Sequence, residues 1–239
     1  MPALPATPDP NQQDYELLLP PNETDQSQAA PGQDLPKTSM GFDEQELKPE
    51  RRPGDVYAEY AALISAAVFV VVTWVGLLIH SPAEKGWFAL HPPLQSASIA
   101  LITYGILTLQ PTSQPKTKAA GFQRHQLVIF FVALPCITVG TLAVMYNKYL
   151  NEAPHFMSWH GTLGIIVMVW ILLQVALGGG SVWFKGVAFG GGAKAKAVWK
   201  YHRLSGYLLF PLLLFVGYLG AVILGAVYTR VRLSKMNFT

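Results

Sequence analysis

The sequence is poor in charged residues, and its acidic residues nearly disappear after the first quarter of the chain. Charged residues make up 13% of the 239, about half the share that is usual in soluble proteins. Twelve of the fourteen Asp and Glu precede residue 60, whereas thirteen of the seventeen Lys and Arg follow it. An acidic tail is therefore joined to a basic, apolar body, and this asymmetry indicates a membrane surface rather than nucleic acid.

Other absences narrow the class of protein further. The single cysteine, Cys136, excludes an internal disulfide and leaves the redox compartment undetermined. The glycine-rich stretch GGGAKAK, residues 190–196, follows no predicted strand, so we interpret it as a flexible loop and not as a dinucleotide-binding motif. The first residues lack the basic start and apolar stretch of a signal peptide. No patch of interleaved aromatic and basic residues is present, which argues against a nucleic-acid partner.

The composition divides the chain into two units. Residues 1–56 are rich in Pro, Gln, Asp and Glu and contain few aromatic residues. Such a segment cannot bury enough apolar surface to offset the entropy of an ordered chain, so we predict that this tail is disordered. Residues 57–239 are predicted to form a transmembrane domain.

This second unit contains five apolar runs without a single Asp, Glu, Lys or Arg. Each run is near the ~20 residues that cross a bilayer as an α-helix, and none shows the polar stripe of a helix on a soluble surface. The sequence therefore predicts an all-α membrane bundle of five transmembrane helices, with Pro135 bending the third. The runs are Tyr60–Ile79, Pro92–Leu109, Gln126–Tyr146, Gly161–Leu177 and Leu204–Tyr228.

Basic residues near the runs predict the orientation in the lipid. We name the face of the tail side A and the opposite face side B. The two loops of side B hold only Lys85 and Lys148, so the positive-inside rule makes side A cytosolic. One group disagrees, because after five crossings Arg230, Arg232 and Lys235 fall on side B. The basic residues of side A are Lys48, Arg51, Arg52, Lys116, Lys118, Arg124, Lys185, Lys194, Lys196, Lys200 and Arg203.

Four of the six histidines occupy the same position, at the start of an apolar run. His91 and His160 open the second and fourth runs, and His125 and His202 open the third and fifth. Because successive helices alternate in direction, the first two histidines share side B and the last two share side A. The remaining histidines differ: His80 ends the first run, and His155 lies in a loop.

Paired imidazoles near each face suit the two axial positions of a haem iron, an arrangement that favours electron transfer. Zinc is the weaker alternative, because it takes three or four ligands and neither face offers a cysteine or carboxylate at ligand spacing. Gly164 and Gly206 follow a histidine at i+4 on the same helix face, and they would let a porphyrin approach the backbone. Gly105 and Gly140 would act in the same way at the opposite ends of their helices.

The segments around these histidines resemble the cytochrome b561 family, and most closely its stand-alone fungal members. The similarity covers about residues 60–235, and the His-Pro, His-Gly and Tyr-His-Arg-Leu-Ser-Gly contexts make it specific. The segments are WFALHPPLQSASIALITYGIL, GFQRHQLVIFFVALP, PHFMSWHGTLGII and KYHRLSGYLLF.

The resemblance implies two haem b groups and transmembrane reductase activity. His91 with His160 would hold the non-cytosolic haem, and His125 with His202 the cytosolic one. Single electrons would pass from cytosolic ascorbate to monodehydroascorbate or ferric iron on the other side. The family also forms homodimers, which the sequence leaves open for this chain. In the family, basic residues beside the cytosolic haem bind ascorbate, and the candidates here are Lys116, Lys118, Arg124, Lys200 and Arg203.

One departure and one alternative limit this interpretation. The family has six transmembrane helices, whereas this chain has room for five, and its ending YTRVRLSKMNF resembles the cytosolic end of the sixth. We interpret this as a deletion or a gene-model error that removed a connecting segment. The alternative is a non-redox transporter or scaffold whose histidines relay protons. No apolar run contains an acidic partner for such a relay, which counts against it.

Overall fold

The protein is described by a computed structural model for residues 51–110 and 114–236. Most of the predicted disordered tail, residues 1–50, lies outside the described residues. Within those ranges the chain is helical and has no β-strand, so the all-α prediction is confirmed there. The long helices are α1 (Asp55–Leu78), α2 (His91–Leu107), α3 (Pro115–Leu150), α4 (Trp159–Val182) and α5 (Gly192–Met236).

Short 3₁₀ segments, Pro82–Leu90 and Trp183–Phe189, precede α2 and follow α4. In the described part of the chain four helices are long and apolar enough to cross a membrane, namely α1, α3, α4 with its 3₁₀ extension, and α5. α2 has 17 residues and is slightly shorter. Local sequence explains the helix starts, because Pro92 and Pro93 stand in the first turn of α2 and the Ser158 hydroxyl accepts from the Gly161 N–H at the start of α4.

The helices present apolar side chains outward as well as inward. On α1, for example, Ile64 is 61% exposed and Val72 is 64% exposed. Water would not tolerate so much contiguous apolar surface on a monomer, whereas lipid does. The exterior of this bundle is therefore suited to a bilayer.

The interior is a core shared by α2 to α5. It consists of aliphatic side chains and one methionine, and Phe69 of α1 packs against it. α2 packs on α3 and α4 on α5, and α1 flanks α2, where the Trp74 indole donates to the Ser96 hydroxyl at 3.2 Å. The buried members are Ile99, Ile137, Val167, Met168, Ile171, Leu209, Leu213 and Val216.

The sequence predicts a bend at Pro135, and just before this proline the structure contains a π-helical segment, Val128–Ala133. Proline has no N–H to donate and its ring crowds the carbonyl one turn earlier. A π-helical turn widens the backbone at that carbonyl and inserts one additional residue. α3 therefore continues from Pro115 to Leu150 through the proline.

On side A the structure has helix where the sequence predicts loops. α3 and α5 each begin ten residues before their histidine. His125 and His202 are each the eleventh residue of their helix. The prediction of a flexible loop over residues 190–196 is wrong from Gly192 onward, where α5 begins. The segment AKAKAVWK consists mainly of good helix formers, and this propensity outweighs the preceding glycines.

Candidate functional site: two histidine pairs

The structure brings His91 and His160 together at the starts of α2 and α4. Their ring centroids lie 5.9 Å apart, and the ring planes cross at 81°. The Phe88 ring stacks on His91 from the preceding 3₁₀ segment, with centroids 6.1 Å apart. We call this couple the side B pair.

His125 of α3 and His202 of α5 form the second couple, the side A pair. Their ring centroids lie 6.3 Å apart and the planes cross at 87°. The other two histidines join neither couple. His80 Nδ1 contacts the Gly76 carbonyl of its own helix at 2.8 Å, and His155 is exposed and packs against Phe156.

Each of the four imidazoles is oriented by a backbone carbonyl on the neighbouring helix. A carbonyl oxygen only accepts, so each Nδ1 carries the proton and each Nε2 keeps a free lone pair for a metal. The bonds are His91 Nδ1 to Gly140 O at 2.9 Å, His125 to Gly105 at 3.0 Å, His160 to Val216 at 3.0 Å and His202 to Gln174 at 3.1 Å.

These hydrogen bonds are reciprocal within each antiparallel helix pair. α2 and α3 exchange one bond in each direction, and so do α4 and α5. The histidine couples then connect α2 with α4 and α3 with α5. All four helices are thus cross-linked at two levels, and the position of each ring depends on two helices at once.

The spacing of histidine and acceptor along each helix fixes the distance between the two levels. Fourteen residues separate them on α2, α4 and α5, as from His91 to Gly105. At 1.5 Å per residue the two levels lie about 21 Å apart. On α3 the interval from His125 to Gly140 is fifteen residues, and the additional residue lies in the π-helical segment Val128–Ala133. The π segment therefore keeps α3 in register with the other three helices.

Two glycines that the sequence reasoning missed lie directly against the histidine rings. A Cβ on Gly178 would lie 2.7 Å from His202 Cε1, and one on Gly220 would lie 2.9 Å from His160 Cε1. Each glycine follows the carbonyl acceptor of its histidine by four residues. That spacing is readable in the sequence only after the acceptors, Gln174 and Val216, are known.

The four glycines that the sequence singled out have other surroundings. A Cβ on Gly105 would meet Ile129 at 3.0 Å, one on Gly140 would meet Gln95 at 3.0 Å, and one on Gly206 would meet Gln174 at 3.1 Å. Close contact between neighbouring helices accounts for these three glycines. A Cβ on Gly164 would lie 3.9 Å from Val216 Cγ1, so this position has space.

The geometry of both couples fits a metal held between two imidazoles. Two nitrogen–metal bonds of about 2 Å, plus the distance from each nitrogen to its ring centre, give a centroid separation of about 6 Å. Among the described residues no group of three or more His, Cys, Asp or Glu could hold a metal ion. Two ligands with two free Nε2 atoms suit a haem iron, whose other four ligands are the porphyrin nitrogens.

Buried polar atoms without a hydrogen-bond partner are a second indication that a haem fits beside the side A pair. In the described part of the chain, the buried side-chain atoms without a hydrogen-bond partner are Gln174 Oε1 and Trp199 Nε1. Gln174 accepts from His202, and Trp199 precedes His202 by three residues on α5. Buried polar groups are rarely left unpaired, so both atoms indicate a missing partner beside the side A pair.

The five basic residues predicted to bind the reductant lie on α3 and α5, on the turns that precede His125 and His202 or next to these histidines. All five side chains are exposed. Arg124 directly precedes His125 and Arg203 directly follows His202, whereas Lys200 lies 4.9 Å above the Tyr201 ring. Lys116 and Lys118 stand in the first turn of α3.

In this helical membrane bundle the histidines face each other in couples, and each ring keeps Nε2 available to a metal. This is the arrangement expected of a haem-binding membrane protein. The family model for eukaryotic cytochrome b561 matches residues 90–226, which include all four paired histidines. The chain belongs to the cytochrome b561 family. It is accordingly an integral, multi-pass haem b protein of the oxidoreductase class that functions in transmembrane electron transport.

Two curated proteins are similar to this chain. The transmembrane reductase CYB561D2 of Bos taurus is 28% identical over 160 residues, which are 64% of this chain and 72% of that protein. The protein of the same name from Homo sapiens is 27% identical over 168 residues, 68% of this chain and 75% of that protein. No solved structure matches the chain.

Proposed function

We propose that this protein transfers single electrons from a cytosolic, ascorbate-like reductant on side A to an acceptor on side B, either monodehydroascorbate or ferric iron. It would hold two haem b groups, one between His125 and His202 and one between His91 and His160. The observation that carries the proposal is the presence of two imidazole couples about 21 Å apart along the helix axes. The printed name of both relatives, transmembrane reductase, supports the reaction class.

The chain contributes ligation, orientation and exclusion of water, and haem b supplies a reversible one-electron couple when bound. A haem held by two histidines would favour electron transfer over oxygen chemistry. The Nδ1 bonds to four backbone carbonyls would keep the four rings oriented toward the haems that they hold. Between the two levels, buried side chains such as Ile99, Val167 and Leu213 form an apolar core. Two levels divide the roughly 30 Å of hydrocarbon into shorter distances for an electron.

The proposed topology has five crossings with the N-terminus in the cytosol. Basic residues concentrate on side A, where Lys116, Lys118, Lys194 and Lys200 extend from α3 and α5 into the cytosolic boundary. The 45-residue helix α5 is about 67 Å long and would extend beyond the bilayer. We attribute the basic residues at its end, Arg230, Arg232 and Lys235, to loss of a connecting segment that would lead into a sixth helix. Sequencing the transcript across residues 217–227 tests this, since an uninterrupted match rejects a gene-model error.

Haem stoichiometry is the direct test of the function. We expect the purified protein to be red and to contain two haems per chain by the pyridine haemochrome assay, because each imidazole couple holds one. Reconstituted into liposomes, it should reduce an enclosed or external ferric acceptor when ascorbate is supplied on the opposite side. One haem or none per chain would contradict the two-haem proposal. A colourless protein from haem-supplied cells would favour the non-redox transporter.

The donor surface has its own test. We propose that Lys116, Lys118, Arg124, Lys200 and Arg203 attract an anionic donor to side A. The double variant Lys200→Glu/Arg203→Glu reverses two exposed charges. It should raise the KM for ascorbate about tenfold at low salt, since exposed charge pairs contribute about 0.2–1 kcal/mol each. The matched control is Lys85→Glu on side B, which should leave the KM unchanged. Equal KM values for all three proteins would place the donor elsewhere.

A further inference from the structure

The indole nitrogen of Trp199 is a buried donor without an acceptor. Trp199 Nε1 has no hydrogen-bond partner, and an indole N–H can only donate. The residue lies three positions before His202, so the two side chains share one face of α5. Ala195, four positions before Trp199 on that face, is fully buried. The donor therefore points into the bundle beside the side A pair.

The described protein groups on side A offer no free carboxylate to this donor. Beyond residue 60 the only acids are Glu84 and Glu152, and both lie in the side B connections. At the start of α1, Glu59 pairs with Arg51, and Asp55 accepts from the backbone N–H of Arg52. Gln174 Oε1, the other unpaired buried atom, does not bond this nitrogen either, so a group bound beside Trp199 is a candidate acceptor for the indole.

Haem carries two carboxylates, which are its only ionised side groups. Ionised groups are costly at membrane depth and orient toward water. Trp199 stands about one helical turn closer to side A than His202, on the route toward that water. Exposed Lys200 and Arg203 follow it in sequence, one and four positions later, and add positive charge, which favours an anion at this position.

We propose that Trp199 donates its indole N–H to a carboxylate of the haem held by His125 and His202, an inference that rests on the proposed two-haem function. The same bond satisfies the unpaired Nε1 atom. Trp199 would thereby fix the rotation of that haem about the imidazole axis, which the two histidines alone leave free.

The test compares haem retention in Trp199→Phe with that in the natural protein. Both are produced as full chains in haem-requiring cells supplied with either haem b or its dimethyl ester, and haem loss to excess apomyoglobin is followed. Phenylalanine keeps an aromatic ring and removes the donor. With haem b we expect one of the two loss phases to accelerate about tenfold or more, because a hydrogen bond to a charged group is a strong one. The other phase should keep its rate.

The dimethyl ester of haem b completes a double-mutant cycle in which one change is made in the protein and the other in the haem. With esterified carboxylates, the natural protein and Trp199→Phe should lose haem at the same rate, because the strong acceptor is gone from both. Trp183→Phe, which removes an indole N–H elsewhere on side A, is the control and should match the natural protein. A redox titration should show the potential of one haem lowered in Trp199→Phe and that of the other unchanged.

The outcomes separate this inference from the proposed function. Fewer than two haems in the natural protein would reject the two-haem function itself. If the natural protein holds two haems and Trp199→Phe loses both at the natural rates, the assignment of Trp199 is rejected and the proposed function stands. An acceleration that persists with the ester would show that the ring acts by packing. A change confined to the KM for ascorbate would assign the N–H to the donor, and it too would overturn the proposal.

Discussion

Replacing His202 with alanine should halve the haem content, from two per chain to one. His202 is one of two imidazoles of the side A pair, and its ring is held by the Gln174 carbonyl. Removing it leaves His125 as the only ligand on that level. The side B pair lies about 21 Å away along the helices and shares no partner with it, so its haem should stay bound. The pyridine haemochrome assay measures the ratio, and a redox titration identifies the potential that disappears.

A matched control and a rescue make this result interpretable. His155→Ala removes an exposed histidine that belongs to neither couple and should retain two haems. His202→Gly leaves a space that free imidazole can enter, and millimolar imidazole should restore the second haem. Loss of both haems in His202→Ala, with no recovery in His202→Gly, would show collapse of the bundle and would contradict two independent sites.

The histidine couples are predictable from sequence because each histidine lies at a change of polarity. A polar ring at the start of an uncharged run is visible without knowledge of the fold, and the alternation of helix direction then assigns His91 and His160 to one face and His125 and His202 to the other. The structure brings these same couples within 5.9 and 6.3 Å. The sequence predicts the helix bounds less well on side A, where α5 begins at Gly192. Hydropathy detects the apolar section of a helix and not its polar extension.

The carbonyl acceptors of the histidines could not be predicted. A backbone carbonyl has no signature in the sequence, and its use depends on the register of two helices. The π segment of α3 illustrates the limit, because Pro135 indicates a disturbance but not that one inserted residue keeps His125 and Gly140 in register. Gly178 is similarly hidden, since it opens a run of three glycines and only its contact with His202 distinguishes it from the next two.

Gly178 and Gly220 lie so close to the rings of His202 and His160 that a methyl group at either position should disturb the ring. Gly178→Ala should weaken the side A haem, and Gly220→Ala the side B haem. A methyl group at these positions would lie 2.7 Å from His202 Cε1 and 2.9 Å from His160 Cε1, well inside van der Waals contact. Each ring is fixed by a hydrogen bond at Nδ1 and, under the proposed function, would also be held by the haem iron at Nε2. It therefore cannot turn away without losing one of the two.

Two opposing energies decide whether Gly178→Ala and Gly220→Ala weaken haem binding. Alanine in place of glycine inside a helix stabilises it by about 0.5–1 kcal/mol, whereas overpacking a close contact costs about 1–3 kcal/mol. The difference is a net cost of about 0–2.5 kcal/mol, and its midpoint of about 1.3 kcal/mol corresponds to haem binding that is roughly tenfold weaker at the affected level. Transfer of haem to apomyoglobin measures this, and the faster phase should belong to a different haem in each variant.

Gly164→Ala provides the control on α4. Its added Cβ would lie 3.9 Å from Val216 Cγ1, which is ordinary van der Waals contact, so only the stabilisation of the helix by alanine applies. We expect two haems at natural retention rates and a slightly raised Tm. If Gly178→Ala and Gly220→Ala behave like Gly164→Ala, the imidazoles do not rest on these glycines, and the close approach of α4 and α5 has a different cause.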